Sequence, residues 1–153
     1  MPVPVLIGSQ ATVEGVATGV TDDARALIDA FWPGALTLVL RHQPSLAWDL
    51  GDTRGTVAVR MPAHPVAIDL LREVGPTAVS SANRTGLPPA SSIDEAIDQL
   101  GDAVACFLDA GATTESLPSS IVDLTAFTPR LLREGALSFA ALREIVPGLE
   151  PVA

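Results

Sequence analysis

The chain has 153 residues, of which 48% are hydrophobic and 18% charged, and its formal net charge at pH 7 is -9. This length suggests one domain with a sizeable core, and the apolar content excludes an intrinsically disordered protein. Cys106 is the sole cysteine, which excludes a disulfide scaffold and a multi-cysteine zinc site. All basic residues are arginine, so a Walker A motif is excluded, and the acidic balance disfavours a broad nucleic-acid surface.

Membrane insertion and export are not expected. The longest apolar run is too short to span a bilayer. The N-terminus lacks the basic start and full apolar core of a signal peptide, so we expect a cytoplasmic protein with no membrane contact.

The N-terminal half alternates apolar runs with helical periodicity, which is typical of an α/β fold. The predicted elements are, in chain order, a strand from about residue 3 to Gly8, a helix from Ser9 to Val16, a helix from Asp22 or Asp23 to Pro33-Gly34, a strand from Ala35 to Leu40, a loop over 41–55 and a strand from Thr56 to Arg60. The second helix is the clearest, because apolar residues recur along one face at Ala24, Leu27, Ile28 and Phe31.

The C-terminal half continues the alternation. The predicted elements are a helix from Pro65 to Gly75, a strand from Pro76 to Ser80, a polar loop over 81–91, a helix from Ser92 to Gly101, strands at about 104–109, 120–124 and 130–133, a flexible loop over 111–118, and a helix from Ser138 to Pro147. Ser92 and Glu95 have capping-box spacing. We find no internal repeat and predict a single domain over residues 1–153.

A polar loop directly after a strand is the first candidate site. Residues 80–86 (SSANRTG) carry hydroxyls, an amide and an arginine beside a glycine. Ligands of α/β sheets bind beyond the carboxyl ends of strands, and short polar side chains there can hold phosphate oxygens. The alternative is a turn in which serine and asparagine satisfy their own backbone.

Two arginines end strand-like runs, Arg60 in TVAVR and Arg133 in RLLREG. A guanidinium in such a position can clamp a carboxylate or a phosphate, although an ordinary salt bridge is the alternative. Ser119 and Ser120 precede a strand-like run and could place a hydroxyl at its start, or be merely solvated.

The remaining reactive side chains are weaker candidates. We expect His42 to lie in a surface loop and His64 to cap a helix, and neither has metal-ligand spacing with Cys106. Cys106 itself is predicted to be a small buried hydrophobe within a strand.

Five segments together resemble the Sua5/YciO/YrdC family, in its order and spacing. They are Phe31 to Leu38 (FWPGALTL), Val57 to Pro65 (VAVRMPAHP), Ser81 to Pro88 (SANRTGLP), Ser119 to Asp123 (SSIVD) and Leu132 to Gly135 (LREG). The resemblance implies a YrdC-like fold, a twisted, open, mixed β-sheet flanked by helices.

The resemblance also implies L-threonylcarbamoyladenylate synthase activity. Such an enzyme makes threonylcarbamoyl-AMP and pyrophosphate from L-threonine, bicarbonate or CO2, and ATP with Mg2+, towards the t6A base of tRNA. It implies that Arg60 and Ser119 contact threonine, and that Val79 lines the threonine pocket through its backbone. It further implies ATP contacts by Thr56, Ser81, Asn83 and Arg133, with Asn83 holding nucleotide or magnesium. Proteins of tRNA modification are implied partners.

The chain departs from the family pattern at its start. The family's Pro-Thr-Asp-Thr-x-Tyr-Gly-like segment and Lys-x-Arg motif are not found, so we expect an N-terminally truncated, impaired and poorly soluble chain. Two alternatives remain, an RNA- or nucleotide-binding module and a non-catalytic relative of the YciO type. Acidity and the lack of lysine weigh against direct tRNA binding.

Overall fold

A mixed β-sheet organises the computed structural model, which describes residues 3–113 and 117–152. Within those residues its strands are β1 (Val5–Leu6), β2 (Ala17–Thr18), β3 (Leu36–His42), β4 (Thr56–Arg60), β5 (Thr77–Ala78), β6 (Ser120–Asp123) and β7 (Arg130–Arg133). The order is β5-β1-β4-β3-β6-β7, with β2 paired to β3. The pairs β1–β4 and β3–β6 are parallel and the other pairs are antiparallel, so the predicted mixed sheet is confirmed.

The described residues also form five α-helices, four between strands and the fifth after β7. They are α1 (Val13–Val16), α2 (Asp22–Phe31), α3 (Pro65–Val74), α4 (Ile93–Leu100) and α5 (Phe139–Ile145). Side-chain oxygens cap three of them, because Thr21, Ser92 and Ser138 accept from the backbone N–H three residues later. The predicted cap Ser92 is thus confirmed.

One face of the sheet carries the core. Strand alternation sends Val57 and Val59 of β4 to the buried face and Thr56, Ala58 and Arg60 to the opposite face. The buried side chains of the sheet join those of α1, α2 and α5 in one cluster that includes Val13, Leu27, Leu38, Val122 and Leu142. We call the opposite face, bearing Arg60, the open face.

The structure divides into two compact units, one of residues 1–79 and 117–153 and the other of residues 80–116. The first holds the whole sheet, and the second holds α4 and the loops around it. In the second unit Arg84 donates from its backbone N–H and from Nε to Gln99 of α4, so the loop before α4 is fastened to that helix.

Several predicted elements differ from the structure. The predicted strand at 104–109 is wrong: these residues form no strand, and Cys106 is exposed rather than buried. An apolar run becomes a strand only where another strand pairs with it, and this run lies in the unit without a sheet.

Other differences are smaller. The first and fourth predicted strands shrink to the two-residue β1 and β5, and the helix at 9–16 splits into a 3-10 turn over Gln10–Thr12 followed by α1. Strand β2 was not predicted. Of the loop predicted at 111–118, residues 114–116 lie outside the described residues.

Candidate functional site

A row of residues crosses the open face at one level of the sheet. The register pairs Leu6 with Arg60, Thr37 with Ile121, and Ile121 with Arg133. Because Leu38 pairs with Val59 in an antiparallel ladder, the next position brings Thr37 opposite Arg60. Thr37 therefore lies between the strands that carry the two predicted arginines. Those strands are three spacings apart, or about 14 Å.

Arg60 ends β4, and a backbone carbonyl oxygen holds its side chain. Its Nε donates to the Gly34 carbonyl oxygen at 2.8 Å, while the Gly34 N–H donates to Met61 at 2.9 Å. A Cβ on Gly34 would lie 2.4 Å from the Phe31 carbonyl oxygen, so only glycine fits at this point. The FWPG segment therefore directs the guanidinium of Arg60 towards the start of β3.

Arg133 is fixed by Ser119 at the other end of the row. Its Nε and Nη2 donate to the Ser119 carbonyl oxygen at 2.9 and 2.7 Å, and Nη2 also donates to Ser119 Oγ at 3.1 Å. Ser119 Oγ lies 2.8 Å from the Thr37 hydroxyl, and both side chains are buried. The predicted residues Arg60, Ser119 and Arg133 are thus brought to one end of the sheet, with Thr37 between them.

The neighbouring Ser120 has a different role. Its hydroxyl donates to the Leu137 carbonyl oxygen at 2.6 Å and accepts from the N–H groups of Gly135 and Leu137. A Cβ on Gly135 would lie 2.2 Å from the Pro118 carbonyl oxygen. The hydrogen bonds of Ser120 therefore hold the segment after β7 against the start of β6, next to Arg133. Local sequence pattern alone does not distinguish the roles of Ser119 and Ser120, and only the family resemblance names Ser119.

Thr56 lies at the opposite end of β4 but on the same face as Arg60, about 13 Å away along the strand. Its hydroxyl donates to the Thr53 carbonyl oxygen at 2.7 Å. Beside it lies a small cavity of about 40 Å³ whose lining includes His42 and Trp48. A ligand that contacts both Thr56 and Arg60 must extend along the open face.

Val79 follows β5 at the edge of the sheet. Its N–H donates to the Pro4 carbonyl oxygen at 2.9 Å, which continues the β1–β5 ladder by one bond. Its position near the start of β1 is set by the backbone, in keeping with a residue predicted to act through its main chain.

Ser81 and Asn83 lie in the second unit. The Asn83 Nδ2 donates to the carbonyl oxygens of Arg84 and Leu87, at 3.0 and 2.9 Å. These bonds fix the amide orientation and leave Oδ1 buried without a partner in the described residues. The Asn83 side chain therefore bonds to the backbone of its own loop, as the alternative interpretation expects. Its Oδ1, however, accepts no hydrogen bond among the described residues.

The histidines do not join the row. His42 ends β3 rather than lying in the predicted loop, and His64 precedes α3 without a side-chain cap bond. No group of three or more histidine, cysteine or acidic residues suited to a metal ion occurs among residues 3–113 and 117–152. In the same part of the chain, no helix is long and apolar enough to cross a membrane.

Comparison with known families identifies the chain. The Sua5_yciO_yrdC family model, described as telomere recombination, matches residues 1–135. The chain belongs to the Sua5/YciO/YrdC family, as the five motifs indicated.

Named relatives agree with this assignment. A Mycobacterium tuberculosis (strain ATCC 25618 / H37Rv) protein, provisionally named a threonylcarbamoyl-AMP synthase, is 58% identical over 146 residues, which cover 95% of this chain and 67% of that protein. The threonylcarbamoyl-AMP synthase of Pyrococcus abyssi (strain GE5 / Orsay) is 34% identical over 146 residues, covering 95% of this chain and 43% of that enzyme. The chain thus spans about two thirds of the first relative and less than half of the second.

Solved structures share the fold. The crystal structure of P. abyssi Sua5 complexed with L-threonine matches with a TM-score of 0.91 and 32% identity, covering 98% of this chain and 44% of that chain. E. coli YciO matches with a TM-score of 0.81 and 24% identity, over 92% of this chain and 69% of that chain. At 24% identity, the likeness to E. coli YciO concerns the fold alone.

Proposed function

We propose that this chain carries the threonylcarbamoyl-AMP synthase activity of its relatives, forming threonylcarbamoyl-AMP and pyrophosphate from L-threonine, bicarbonate or CO2, and ATP. The observation that carries the proposal is the arrangement of Arg60 and Arg133 on one face of the sheet, each fixed through Nε to a backbone carbonyl oxygen. The P. abyssi relative supports L-threonine as the amino-acid substrate, because it was crystallised with that ligand.

The chemistry requires two anions to meet. The threonine amine adds to CO2 and loses a proton, giving a carbamate. A carbamate oxygen then attacks the α-phosphorus of ATP, and the bond to pyrophosphate breaks. Positioning and charge neutralisation dominate such a transfer, and no side-chain nucleophile is needed. Arginines held by backbone carbonyls suit this task, because their planar donors are already oriented.

The roles are assigned as the resemblance implies. Arg60, Ser119 and the Val79 backbone bind L-threonine, with the Arg60 guanidinium on the carboxylate. Arg133 binds the phosphates. Its Nη1 has no protein partner in the described residues, which leaves donors for a ligand. Thr56 lies far enough along the same face to meet another part of an extended nucleotide.

The resemblance also implies ATP contacts by Ser81 and Asn83 of the second unit. Magnesium would arrive with ATP, and the unused Oδ1 of Asn83 is an oxygen ligand of the kind that Mg2+ accepts. When bound, the ion would neutralise phosphate charge. Most of its ligands would come from phosphates and water, since the described residues hold no carboxylate cluster.

The product bears on partners and location. Threonylcarbamoyl-AMP is a mixed anhydride that water hydrolyses, so a tRNA-modifying protein must receive it soon after release. The substrates are cytoplasmic metabolites, which favours a cytoplasmic protein. The net charge of -9 disfavours direct tRNA binding, and a salt-dependent gel shift with tRNA tests that alternative.

The test is pyrophosphate release with ATP, L-threonine and bicarbonate. It is run on the 153-residue chain and on a chimera in which these residues replace the matching segment of the M. tuberculosis relative. We expect release by the chimera that depends on all three substrates, and weaker release by the chain alone. The same chimera with Arg60→Ala is the matched negative. Substrate-independent release, or none from a folded chimera, contradicts the proposal.

A further inference from the structure

A second polar row crosses the open face, parallel to the row that contains Arg60 and Arg133, which we call the first row. The register pairs Thr18 of β2 with Arg41 of β3, and Arg41 with Thr56 of β4. Residues directly opposite each other in a ladder present their side chains on the same face. Arg41 lies four residues beyond the first-row position of β3, so the two rows are about 13 Å apart. We call Thr18, Arg41 and Thr56 the distal row.

Arg41 is held by the backbone in the same way as the two arginines of the first row. Its Nη2 donates to the Thr125 carbonyl oxygen at 3.0 Å. Thr125 is fixed in turn by Asp123, whose Oδ1 accepts from the Thr125 N–H at 2.9 Å and from the Thr125 hydroxyl at 2.7 Å. The turn after β6 therefore holds one side of the exposed guanidinium, while its Nε and Nη1 donate to no described residue.

The charge of Arg41 is not neutralised within the part of the chain that the structure describes. Arg41 forms no salt bridge there, whereas Arg130, also exposed and on the sheet, pairs with Glu150 at 3.1 Å. Asp123 uses Oδ1 on Thr125 and makes no ion pair with Arg41. A guanidinium that is oriented but unpaired, in a chain with 18 acidic and 9 basic residues, is available to an anion from solution.

The proposed function supplies such an anion. The α-phosphorus of ATP must lie near the carbamate in the first row, so the distal row can meet only the outer phosphates or the nucleoside. The positive charge of Arg41 favours the phosphates, because a guanidinium donates to phosphate oxygens with charge-assisted bonds. Its cross-strand neighbour Thr56 is the residue already assigned to a remote part of the nucleotide.

We propose that Arg41 binds the β- and γ-phosphates of ATP at the distal row, leaving Arg133 to the α-phosphate. The inference rests on the proposed function and adds a third arginine of the open face to it. When the carbamate oxygen attacks, the bond from the α-phosphorus to the bridging oxygen breaks, and its electron pair leaves with pyrophosphate. A fixed cation beside the outer phosphates stabilises the charge that develops on this leaving group.

The test compares the unaltered chain with Arg41→Gln and Arg41→Lys by calorimetric titration with ATP, AMP and inorganic pyrophosphate at constant Mg2+. Glutamine removes the charge, whereas lysine keeps it, and AMP lacks the outer phosphates. We expect Arg41→Gln to raise the Kd for ATP and for pyrophosphate about tenfold, and the Kd for AMP less than about threefold. Arg41→Lys should recover part of the lost affinity. Arg143→Gln removes the same charge from α5, on the core side of the sheet, and is the matched control.

The ratio of the ATP and AMP dissociation constants separates phosphate binding from a structural role. A general loosening of the sheet, or a contact with the nucleoside, would weaken ATP and AMP equally and overturn the inference. Unchanged ATP binding by Arg41→Gln, or an equal loss in Arg143→Gln, would overturn it too. In each of these cases the proposed function stands, since ATP still binds to the unaltered chain. No ATP binding by the unaltered chain would overturn the proposed function as well.

Discussion

Arg133 donates two hydrogen bonds to the carbonyl oxygen of Ser119, from Nε at 2.9 Å and from Nη2 at 2.7 Å. The guanidinium is therefore oriented by the backbone at the start of β6 before any ligand arrives. A side chain held in this way loses little further freedom on binding, which favours affinity.

The first prediction concerns this pair of hydrogen bonds from Arg133. Arg133→Lys keeps the charge. A single ammonium group, however, cannot replace the Nε and Nη2 donors that converge on the Ser119 carbonyl oxygen and also donate to a ligand. We expect the Kd for ATP to rise about ten- to hundredfold, measured by calorimetric titration. Arg72→Lys, on exposed α3 with a 3.7 Å pair to Asp69, is the matched control. Equal ATP binding by Arg133→Lys and the unaltered chain would argue against a phosphate role for Arg133.

The second prediction concerns Gly135. Gly135→Ala forces a Cβ to within 2.2 Å of the Pro118 carbonyl oxygen, so the segment after β7 must move and its bonds to Ser120 must lengthen. We expect the free energy of unfolding to fall by about 1–3 kcal/mol, measured in urea. Gly15→Ala in α1, where nothing lies within 4 Å, should instead raise it by about 0.5–1 kcal/mol. Equal effects of the two variants would contradict the packing argument.

The third prediction concerns acid. Hydrogen bonds from the Ser91 backbone, and then from the Ser91 hydroxyl, lower the pKa of the Glu95 carboxyl. The ionised form therefore stabilises the fold above the ordinary glutamate pKa, and this contribution disappears as the pH falls through the lowered value. We expect Glu95→Gln to lower the melting temperature near pH 7, and to lower it progressively less as the pH falls below the ordinary glutamate pKa.

The control for acid sensitivity is Asp98→Asn on the same helix. Asp98 accepts no side-chain hydrogen bond among the described residues, so its substitution should shift the melting temperature less than Glu95→Gln near neutral pH. A change in melting temperature on Glu95→Gln that is as large in acid as at neutral pH would contradict the role given to the Ser91–Glu95 hydrogen bonds.

The fourth prediction concerns Asn83. A carboxylate is a stronger magnesium ligand than an amide, so Asn83→Asp would strengthen Mg2+-dependent ATP binding if that oxygen mattered alone. However, aspartate cannot donate to the carbonyl oxygens of Arg84 and Leu87, and would repel both. We expect Asn83→Asp to weaken Mg2+-dependent ATP binding, as followed by titration with and without the metal. Tighter binding would refute the view that the two donated bonds hold the loop.

The sequence predicted those site residues whose position depends on a single strand. Arg60 ends the run TVAVR, and the alternation of that run already separates Val57 and Val59 from the arginine. Thr37 could not be found in this way, because its partner Ser119 is 82 positions distant and only the β3–β6 pairing brings them together. The same dependence on a partner explains the wrong strand at 104–109, whose composition matches that of true strands although no strand lies beside it.

Because β4 devotes alternate residues to the core and to the open face, a shift in its register changes both faces at once. Inserting or deleting one residue in this strand would turn Val59 outwards and drive the Arg60 charge among leucines. Length changes are therefore confined to the connecting segments at the ends of the strands, whereas substitutions at open-face positions leave the core side chains in place. A library that randomises the open-face positions Thr56 and Ala58 while Val57 and Val59 stay unchanged would vary the ligand-facing surface at lower risk of unfolding.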